Sequence, residues 1–208
     1  MPLVLATRSE GKLVELRAMA AVQGLAVVDL TAVGLGREHP AEAALERHDT
    51  FEANARAKAR WFAAQLPGRM VVADDSGLEV SALGGAPGVR SKRWTGSRAE
   101  GEALHVENNV ALVRALEGVV DRSARFVTVV VAVRGDDEWV ARGECRGRIL
   151  EAPCGGGGFG YDPLFWSDEL AAAFGQVSRD VKGRVSHRGR AFRSLLGQLA
   201  GAGAAEVG

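Results

Sequence analysis

The stretch LVLATRSEGKLVELRAMAA at residues 3–21 is the strongest indication of the fold. Its first four residues are apolar, as in a short buried strand, and a polar turn that contains Gly11 follows them. From Leu13 onward the apolar side chains recur every three or four residues, which is the period of an α-helix. The stretch therefore predicts a strand, a turn and a helix, which together make the first half of an α/β unit.

The next part of the chain contains a second helix and a second buried strand. An apolar stripe that starts at Phe51 predicts a helix, and Pro-Gly at residues 67–68 ends it. Residues 70–73 (MVVA) predict a buried strand, with residues 74–77 (DDSG) following directly at its carboxyl end. Residues 31–49 show no clear period and contain Gly, Pro and acidic residues, so we interpret them as a loop.

The carboxyl-terminal half predicts further strands and helices. An S-x-x-E capping box at residues 97–100 predicts the start of the longest helix. Residues 126–133 and 138–149 predict two strands that form a hairpin or lie side by side. No repeat or linker divides the chain, so we expect a single α/β domain with a mixed sheet over residues 1–200. Residues 201–208 are rich in Gly and Ala and are expected to form a frayed tail.

Composition and charge exclude several classes of protein. The 208 residues include 26 Lys and Arg against 26 Asp and Glu, which argues against nucleic acid or a membrane surface as the main partner. No apolar run approaches the ~20 residues of a membrane span, and the amino-terminal stretch does not resemble a signal peptide. The two cysteines form neither a C-x-x-C pair nor a zinc set. We therefore expect a protein of the cytoplasm.

The turn at residues 7–12 (TRSEGK) suits a phosphate chain. Backbone N–H groups at a helix start, hydroxyl groups and one lysine are the donors that phosphates prefer. The turn lacks the G-x-x-x-x-G-K-[ST] pattern of a Walker A loop. An ordinary turn, with Ser9 as a helix N-cap and Lys12 in solvent, is the alternative interpretation.

The adjacent carboxylates of Asp74 and Asp75 indicate a cation site. Two such groups at a strand end repel each other, and Mg²⁺ is a common way to offset that repulsion. Ligand sites of α/β proteins are generally built at the carboxyl ends of strands. A solvated Asp-Ser-Gly turn without a partner is the alternative.

Two segments near the carboxyl end could contact a nucleotide base. Residues 155–163 (GGGGFGYDP) allow a ligand to approach the backbone closely, and Phe159 or Tyr161 could offer a flat face to a base. Residues 186–189 (SHRG) place an imidazole beside a guanidinium, and both can donate to a carbonyl edge. The alternatives are a mobile loop whose aromatic rings return to the core, and an N-cap serine followed by solvated side chains.

Together these segments resemble the Ham1-type nucleoside triphosphate pyrophosphatases, the inosine/xanthosine triphosphatase family. Six segments occur in the order of that family and span nearly the whole chain, which makes the set far more specific than any one of them. They are T-x-S-x-x-K at residues 7–12, T-F-x-x-N-A-x-x-K-A at 50–59, A-D-D-S-G-L at 73–78, L-G-G-A-P-G at 83–88, G-F-G-Y-D-P at 158–163 and S-H-R-G at 186–189.

The resemblance implies Mg²⁺-dependent hydrolysis of noncanonical purine triphosphates (ITP, dITP and XTP) to the monophosphate and pyrophosphate. It implies an elongated mixed sheet with flanking helices, two lobes around a central cleft, and a homodimer. It also implies that Asp75 is the general base and a metal neighbour. The implied contacts to the phosphates are Thr7, Arg8, Ser9, Glu10, Gly11 and Lys12, and Ser76, next to the general base Asp75, is a further substrate contact. The implied contacts to the purine are Phe159, Gly160, Tyr161, Asp162, Lys182, His187 and Arg188.

The chain departs from the family pattern at several positions. Ser9 stands where the family usually has Asn, which removes one amide from the phosphate turn. The family's metal-binding Glu lies a few residues before T-F, where this chain has Leu45 and Glu46, and Glu46 is the nearest candidate. Cys154 replaces a frequent Arg, and Gly183 replaces a usual Asn.

Two other functions remain open at this point. One is a Maf-like pyrophosphatase for other modified nucleotides, against which the G-F-G-Y-D-P and S-H-R segments argue. The other is a non-catalytic, nucleotide-binding regulator, which the retained Asp74, Asp75 and Lys12 disfavour.

Overall fold

Strands and helices alternate through the first part of the chain. The computed structural model describes residues 1–205, with side chains to residue 202. Within these residues the strands are β1 (Leu3–Leu5), β2 (Val27–Asp29), β3 (Val71–Val80), β4 (Ser123–Arg134), β5 (Asp137–Ile149), β6 (Phe165–Ser167) and β7 (Ala172–Ala173). The α-helices are α1 (Glu10–Val22), α2 (Phe51–Ala64), α3 (Gly101–Ala115), α4 (Arg179–Val185) and α5 (His187–Ala205). Short 3-10 helices cover Thr31–Val33, Pro40–Ala44, Ser81–Leu83, Gly88–Arg93 and Phe174–Gln176.

The strands of the described chain form one seven-stranded sheet in the order β2-β1-β3-β4-β5-β6-β7. β1 pairs in parallel with β2, where Leu3 lies opposite Val27, and with β3, where Val4 lies opposite Val71. β6 pairs antiparallel with both β5 and β7. The predicted mixed α/β fold is therefore confirmed, and the two strands predicted from the valine-rich region are neighbours in the sheet.

The first two helices begin at side-chain caps and bury one apolar stripe each. Thr50 caps α2 by accepting from the backbone nitrogen of Ala53 at 3.1 Å. Burial of an apolar stripe against a sheet supplies most of the stability of such helices. The buried residues are Leu16 and Ala20 of α1 and, among the apolar residues of α2, Phe51, Ala55, Ala59 and Phe62.

The described chain divides into two compact units, each with its own core. The first unit contains residues 1–75, 128–143 and the chain from residue 188 on, and the second contains residues 76–127 and 144–187. Leu5, Leu16, Val72, Val130, Phe192 and Leu195 pack in the core of the first unit. Leu78, Leu112, Phe126, Ile149, Phe165 and Phe174 pack in the core of the second.

The structure corrects the predicted end of the second buried strand. β3 continues to Val80, so Asp74 and Asp75 lie inside the strand rather than after it. Both side chains are buried, with 1% and 7% of their surface exposed. A buried carboxylate is stable only where cations or hydrogen-bond donors face it, and these two have such partners, described below.

Two local predictions about helices are wrong. α3 has Glu100 as its N-cap without a side-chain hydrogen bond, and Ser97 instead accepts from the backbone nitrogen of Ala99 at 3.0 Å. α3 has 15 residues and is shorter than α5, which has 19. α5 continues to Ala205 and so includes the first part of the predicted frayed tail, while residues 206–208 lie outside the described residues.

Within residues 1–205, the structure has no helix that is both long enough and apolar enough to cross a membrane.

Candidate active site

The turn after β1 is held by its own hydroxyl groups. Thr7 is buried, and its Oγ1 accepts a hydrogen bond of 3.2 Å from the backbone nitrogen of Ser9. Ser9 is the N-cap of α1, with its Oγ 3.5 Å from the backbone nitrogen of Lys12. The N–H groups of a first helical turn have no partner within the helix and suit an anion. N-capping by Ser9 is therefore compatible with phosphate binding.

Asp74 is surrounded by cationic side chains of the first unit. Its Oδ2 lies 3.0 Å from Lys12 Nζ and 3.4 Å from Arg188 Nε. Burial alone would raise the pKa of Asp74, but the charges of Lys12, Arg188 and Lys58 outweigh it and lower that pKa. The carboxylate is therefore ionised at neutral pH, and Lys12 is a half-buried ion-pair partner rather than a solvated side chain.

Asp75 lies in a different electrostatic environment from its neighbour. Asn54 Nδ2 donates a hydrogen bond of 2.9 Å to Asp75 Oδ2. Burial raises the pKa of Asp75 above its ordinary value, and the negative charge of Glu46 adds to this. The charges of Lys12 and Lys58 oppose the shift without cancelling it. A carboxylate with a raised pKa in a buried site is suited to accept a proton near neutral pH.

Two residues of α2 belong to this cluster, although the sequence analysis gave them no role. Lys58 Nζ donates to the Asp74 carbonyl oxygen at 2.9 Å and forms an ion pair with Glu46. Burial lowers the pKa of Lys58, but the carboxylates of Glu46, Asp74 and Asp75 raise it by more. Asn54 and Lys58 are four residues apart and share one helix face, beside the apolar stripe. Polar residues at that spacing beside a buried stripe were the signal that could have identified them.

The glycine tract of the second unit leads into a compact polar arrangement. Asp162 Oδ2 accepts a hydrogen bond of 2.8 Å from the backbone nitrogen of Phe159 and forms a 2.5 Å ion pair with Lys182 Nζ. The same Nζ lies 5.0 Å from the centroid of the half-buried Phe159 ring. The structure thus brings together three of the residues predicted to contact a purine.

Two other residues predicted to contact a purine are buried in the second unit. Tyr161 is 5% exposed, and its hydroxyl donates to the Ser91 carbonyl oxygen at 2.9 Å. Burial raises the pKa of this phenol. His187 is 3% exposed and stacks on Phe126, with ring centroids 4.6 Å apart and planes inclined by 9°. Tyr161 therefore packs in the core of the second unit, which agrees with the alternative interpretation that aromatic rings of the glycine tract return to the core.

The remaining predicted residues are distributed over both units. Arg188 belongs to the first unit, where it pairs with Glu15 as well as with Asp74. Ser76, the first residue of the second unit, is half-buried in β3. Glu10 is exposed at the start of α1, while Gly11 and Gly160 are half-buried. Arg8 contacts the segment at residues 35–42.

Comparison with known proteins identifies the family. The family model described as the Ham1 family matches residues 3–198. The chain belongs to the Ham1 family. The family predicted from the six sequence segments is therefore confirmed.

Curated relatives of this Ham1-family chain have one name in common. A protein of Aromatoleum aromaticum named dITP/XTP pyrophosphatase is 44% identical over 200 residues, which cover 95% of this chain and 96% of the relative. A protein of the same name from Mycolicibacterium paratuberculosis is 46% identical over 202 residues and covers 95% of each chain. The solved Ham1 protein of Staphylococcus aureus superposes with a TM-score of 0.80 at 32% identity, covering 97% of this chain and all of that one.

The carboxylates of the Ham1-family site fit Mg²⁺ only together with a phosphate-bearing substrate. Asp74 Oδ1 is buried and accepts no hydrogen bond from the described residues, and Glu46 and Asp75 carry carboxylate oxygens, which are the type of ligand that Mg²⁺ prefers. Among residues 1–205 no group of three or more His, Cys, Asp or Glu side chains could hold a metal ion. Mg²⁺ is usually bound by one or two carboxylates plus substrate phosphates, and this site matches that pattern.

Proposed function

We propose that this protein hydrolyses the noncanonical purine nucleoside triphosphates ITP, dITP and XTP to the monophosphate and pyrophosphate. The observation that carries the proposal is the contrast between two adjacent buried aspartates. Asp75 has a raised pKa, whereas the carboxylate of Asp74 beside it is kept ionised by cationic side chains. The name of the curated relatives, dITP/XTP pyrophosphatase, supports dITP and XTP as substrates.

Asp75 is the residue that we propose as the general base. Asn54 holds one of its carboxylate oxygens, which orients the group. A water molecule attacks the α-phosphorus and gives its proton to Asp75, while the bond from this phosphorus to the bridging oxygen breaks and pyrophosphate leaves. Lys12 and Lys58 place two positive charges in the same cluster, and they stabilise the charge that develops on the phosphates.

Asp75 and Glu46 are the residues that we propose to hold Mg²⁺ with the substrate phosphates. The ion would neutralise charge on the departing pyrophosphate. Glu46→Gln is expected to raise the Mg²⁺ concentration needed for half-maximal activity. An unchanged Mg²⁺ titration would assign the metal to another carboxylate.

The second unit supplies the groups that we propose to select the base. The Phe159 ring offers a flat face, and Lys182, held by Asp162, provides a donor for the 6-oxo group of a purine. His187 of the same unit is a further candidate for the base edge, and Arg188 is a candidate base contact that belongs to the first unit. A site with such donors leaves them unpaired when a 6-amino purine binds, which can cost a factor on the order of 10⁴. Guanine shares the 6-oxo group, so rejection of GTP has to act at the 2-position.

The active form is proposed to be a cytoplasmic homodimer, on the strength of the family resemblance and of a substrate that belongs to the nucleotide pool. Sedimentation velocity of the purified protein measures the assembly directly. A sedimentation coefficient of a monomer alone at micromolar concentration would contradict the proposed homodimer.

A substrate panel tests the proposed activity. We expect pyrophosphate release from ITP, dITP and XTP at kcat/KM values far above those for GTP, ATP and dTTP. Preference for a pyrimidine or another modified nucleotide would favour the Maf-like alternative. Tight binding of ITP without pyrophosphate release would identify the protein as a regulator instead.

A further inference from the structure

The guanidinium group of Arg8 is fully used by one segment of the chain. Its Nε donates to Glu42 Oε2 at 2.9 Å, and Nη2 donates to Glu42 Oε1 at 2.8 Å and to the Arg37 carbonyl at 3.2 Å. Its Nη1 donates to the carbonyl oxygens of Leu35 at 2.8 Å and Gly36 at 2.9 Å. An arginine side chain has five N–H donors. All of them therefore have acceptors within residues 35–42.

Glu42 is itself fixed at the start of a short helix. Its Oε1 also accepts from the backbone nitrogen of His39 at 2.8 Å, which completes a capping box for the 3-10 helix Pro40–Ala44. The Glu42 side chain is 8% exposed. Burial would raise the pKa of Glu42, but the hydrogen bonds from Arg8 and from the His39 backbone, together with the positive charge of Arg8, outweigh it and lower that pKa. The pair is a bidentate ion pair, of the kind that fixes geometry, between a largely buried carboxylate and a guanidinium whose side chain is 26% exposed.

The segment that Arg8 holds leads directly to the proposed metal carboxylate. Leu45 donates its backbone N–H to the Glu42 carbonyl at 3.0 Å, and Glu46 follows and pairs with Lys58. The backbone nitrogen of His48 then donates to Asn54 Oδ1 at 2.9 Å. The segment at residues 35–48 is thus attached at one end to the phosphate turn and at the other to α2.

We infer that Arg8 is a positioning residue: it ties residues 35–42 to the phosphate turn and so places Glu46 for Mg²⁺, rather than contacting phosphate itself. The role of Glu46 in this inference rests on the proposed function. A phosphate could be bound by Arg8 only if the side chain gave up acceptors that it already has. Lysine cannot replace it, because an ammonium group has three donors and no planar fork.

Hydrogen exchange of residues 35–46 tests the positioning role without reference to activity. Arg8→Ala is expected to accelerate amide exchange there by about tenfold or more, with a smaller acceleration in Arg8→Lys. Arg17→Ala is the matched control, because Arg17 pairs with Asp29, which lies outside the segment, at the surface of the same unit. Unchanged exchange in Arg8→Ala would overturn the inference, even if the protein hydrolyses ITP as proposed.

The Mg²⁺ dependence of pyrophosphate release then separates positioning from phosphate binding. Arg8→Ala is expected to raise the half-saturating Mg²⁺ concentration by about 10-fold while KM for ITP at saturating Mg²⁺ changes little. When Arg8→Ala is combined with Glu46→Gln, the half-saturating Mg²⁺ concentration should rise by less than about twofold over that of Glu46→Gln alone. The reason is that both substitutions act through the Glu46 carboxylate. If Arg8→Ala raises KM for ITP at saturating Mg²⁺, and if the effects of the two substitutions multiply in the double variant, Arg8 contacts the substrate phosphates instead. Absence of any hydrolysis would contradict the proposed function, and the exchange experiment would still decide the position of the segment.

Discussion

At the scale of single residues, the chain gives two adjacent aspartates opposite properties. Asp74 faces Lys12 and Arg188, and their charges keep its pKa low despite burial. Asp75 accepts from Asn54 and has a raised pKa because burial and the charge of Glu46 outweigh its cationic neighbours. Successive side chains of a strand point to opposite faces, so Asp74 pairs directly with Lys12 and Arg188 while Asp75 accepts from Asn54, although the charges of Lys12 and Lys58 act on both. One aspartate can therefore organise cations while the next accepts a proton.

Asp75→Asn tests the assignment of the base. The amide keeps the size of the carboxylate and an oxygen that can accept from Asn54, but it cannot take a proton from water. Turnover of ITP should fall by about 10²–10⁴, with the thermal unfolding midpoint nearly unchanged. Asp136→Asn, in the exposed turn between β4 and β5, is the control and should retain full turnover. Near-normal turnover in Asp75→Asn would remove Asp75 from this role.

At the scale of structural elements, the glycine tract shows why particular positions lack a side chain. Gly158 has φ +77°, and a Cβ built there would lie 2.2 Å from Asp162 Oδ2. Gly156, two residues earlier, has no atom within 4 Å of its built Cβ and no positive φ. The tract therefore contains one position that is constrained by the carboxylate and one that is not.

Gly158→Ala is expected to displace Asp162 and with it the contacts to Phe159 and Lys182. The left-handed backbone conformation adds strain of about 1–2 kcal/mol. We expect a lower unfolding midpoint and a raised KM for ITP. Gly156→Ala is the matched control and should resemble the wild type in both measurements. Equal behaviour of the two variants would mean that the Asp162 arrangement does not depend on the glycine.

The short helix Pro40–Ala44 makes stability depend on pH through Glu42. The pKa of Glu42 is lowered on folding, so its contribution to stability is complete above its unfolded pKa of about 4.3 and is lost as the pH falls through the folded value. Glu42→Gln should therefore destabilise the protein by about 1–3 kcal/mol at neutral pH. The difference from the wild type should narrow below about pH 4.3.

Thermal or urea unfolding over this pH range measures the Glu42 contribution. Glu52→Gln is the control, because the Glu52 side chain is 53% exposed and its ion pair with Arg56 lies within one helix. Pairs of that kind contribute only about 0.3–0.5 kcal/mol. A difference for Glu42→Gln that stays constant down to about pH 3.3, one unit below the ordinary glutamate pKa of about 4.3, would contradict the role of this ion pair.

At the scale of the whole molecule, most residues proposed for phosphate chemistry and most residues proposed for base contacts belong to different compact units. The first unit contains Lys12, Asp75 and Lys58, and the second contains Phe159, Asp162 and Lys182. Each of the two units has its own hydrophobic core. Substitutions that affect the phosphates should therefore act on every nucleoside triphosphate, whereas those near Phe159 should change the preference among bases.

Removal of Mg²⁺ should abolish activity without unfolding the protein. EDTA is expected to stop pyrophosphate release from ITP, and added Mg²⁺ to restore it. Because no group of three or more ligating side chains in residues 1–205 could hold a metal by itself, EDTA should shift the unfolding midpoint of the nucleotide-free protein by less than about 2 °C. A larger decrease would reveal a metal that is bound before the substrate.

The sequence by itself determined the elements that depend on local signals. The strand, turn and helix of residues 3–22, the α2 stripe and the valine-rich strands follow from hydrophobic periodicity, which is a property of consecutive residues. The family also followed from the sequence, because its segments are short, ordered and specific. For the candidate site, the sequence predicted Lys12, Asp75, Phe159 and Asp162 among other residues, but it did not show their partners.

Only the tertiary structure decided where the charged side chains go. Asp74 and Asp75 could remain inside β3 because Lys12, Asn54 and Arg188, which are distant in sequence, surround them. Arg8 belongs to a turn that suits phosphate, yet residues 35–42 occupy all its donors. A long charged side chain has many local conformations of similar free energy, and the acceptors that select one of them are brought near only when the chain folds.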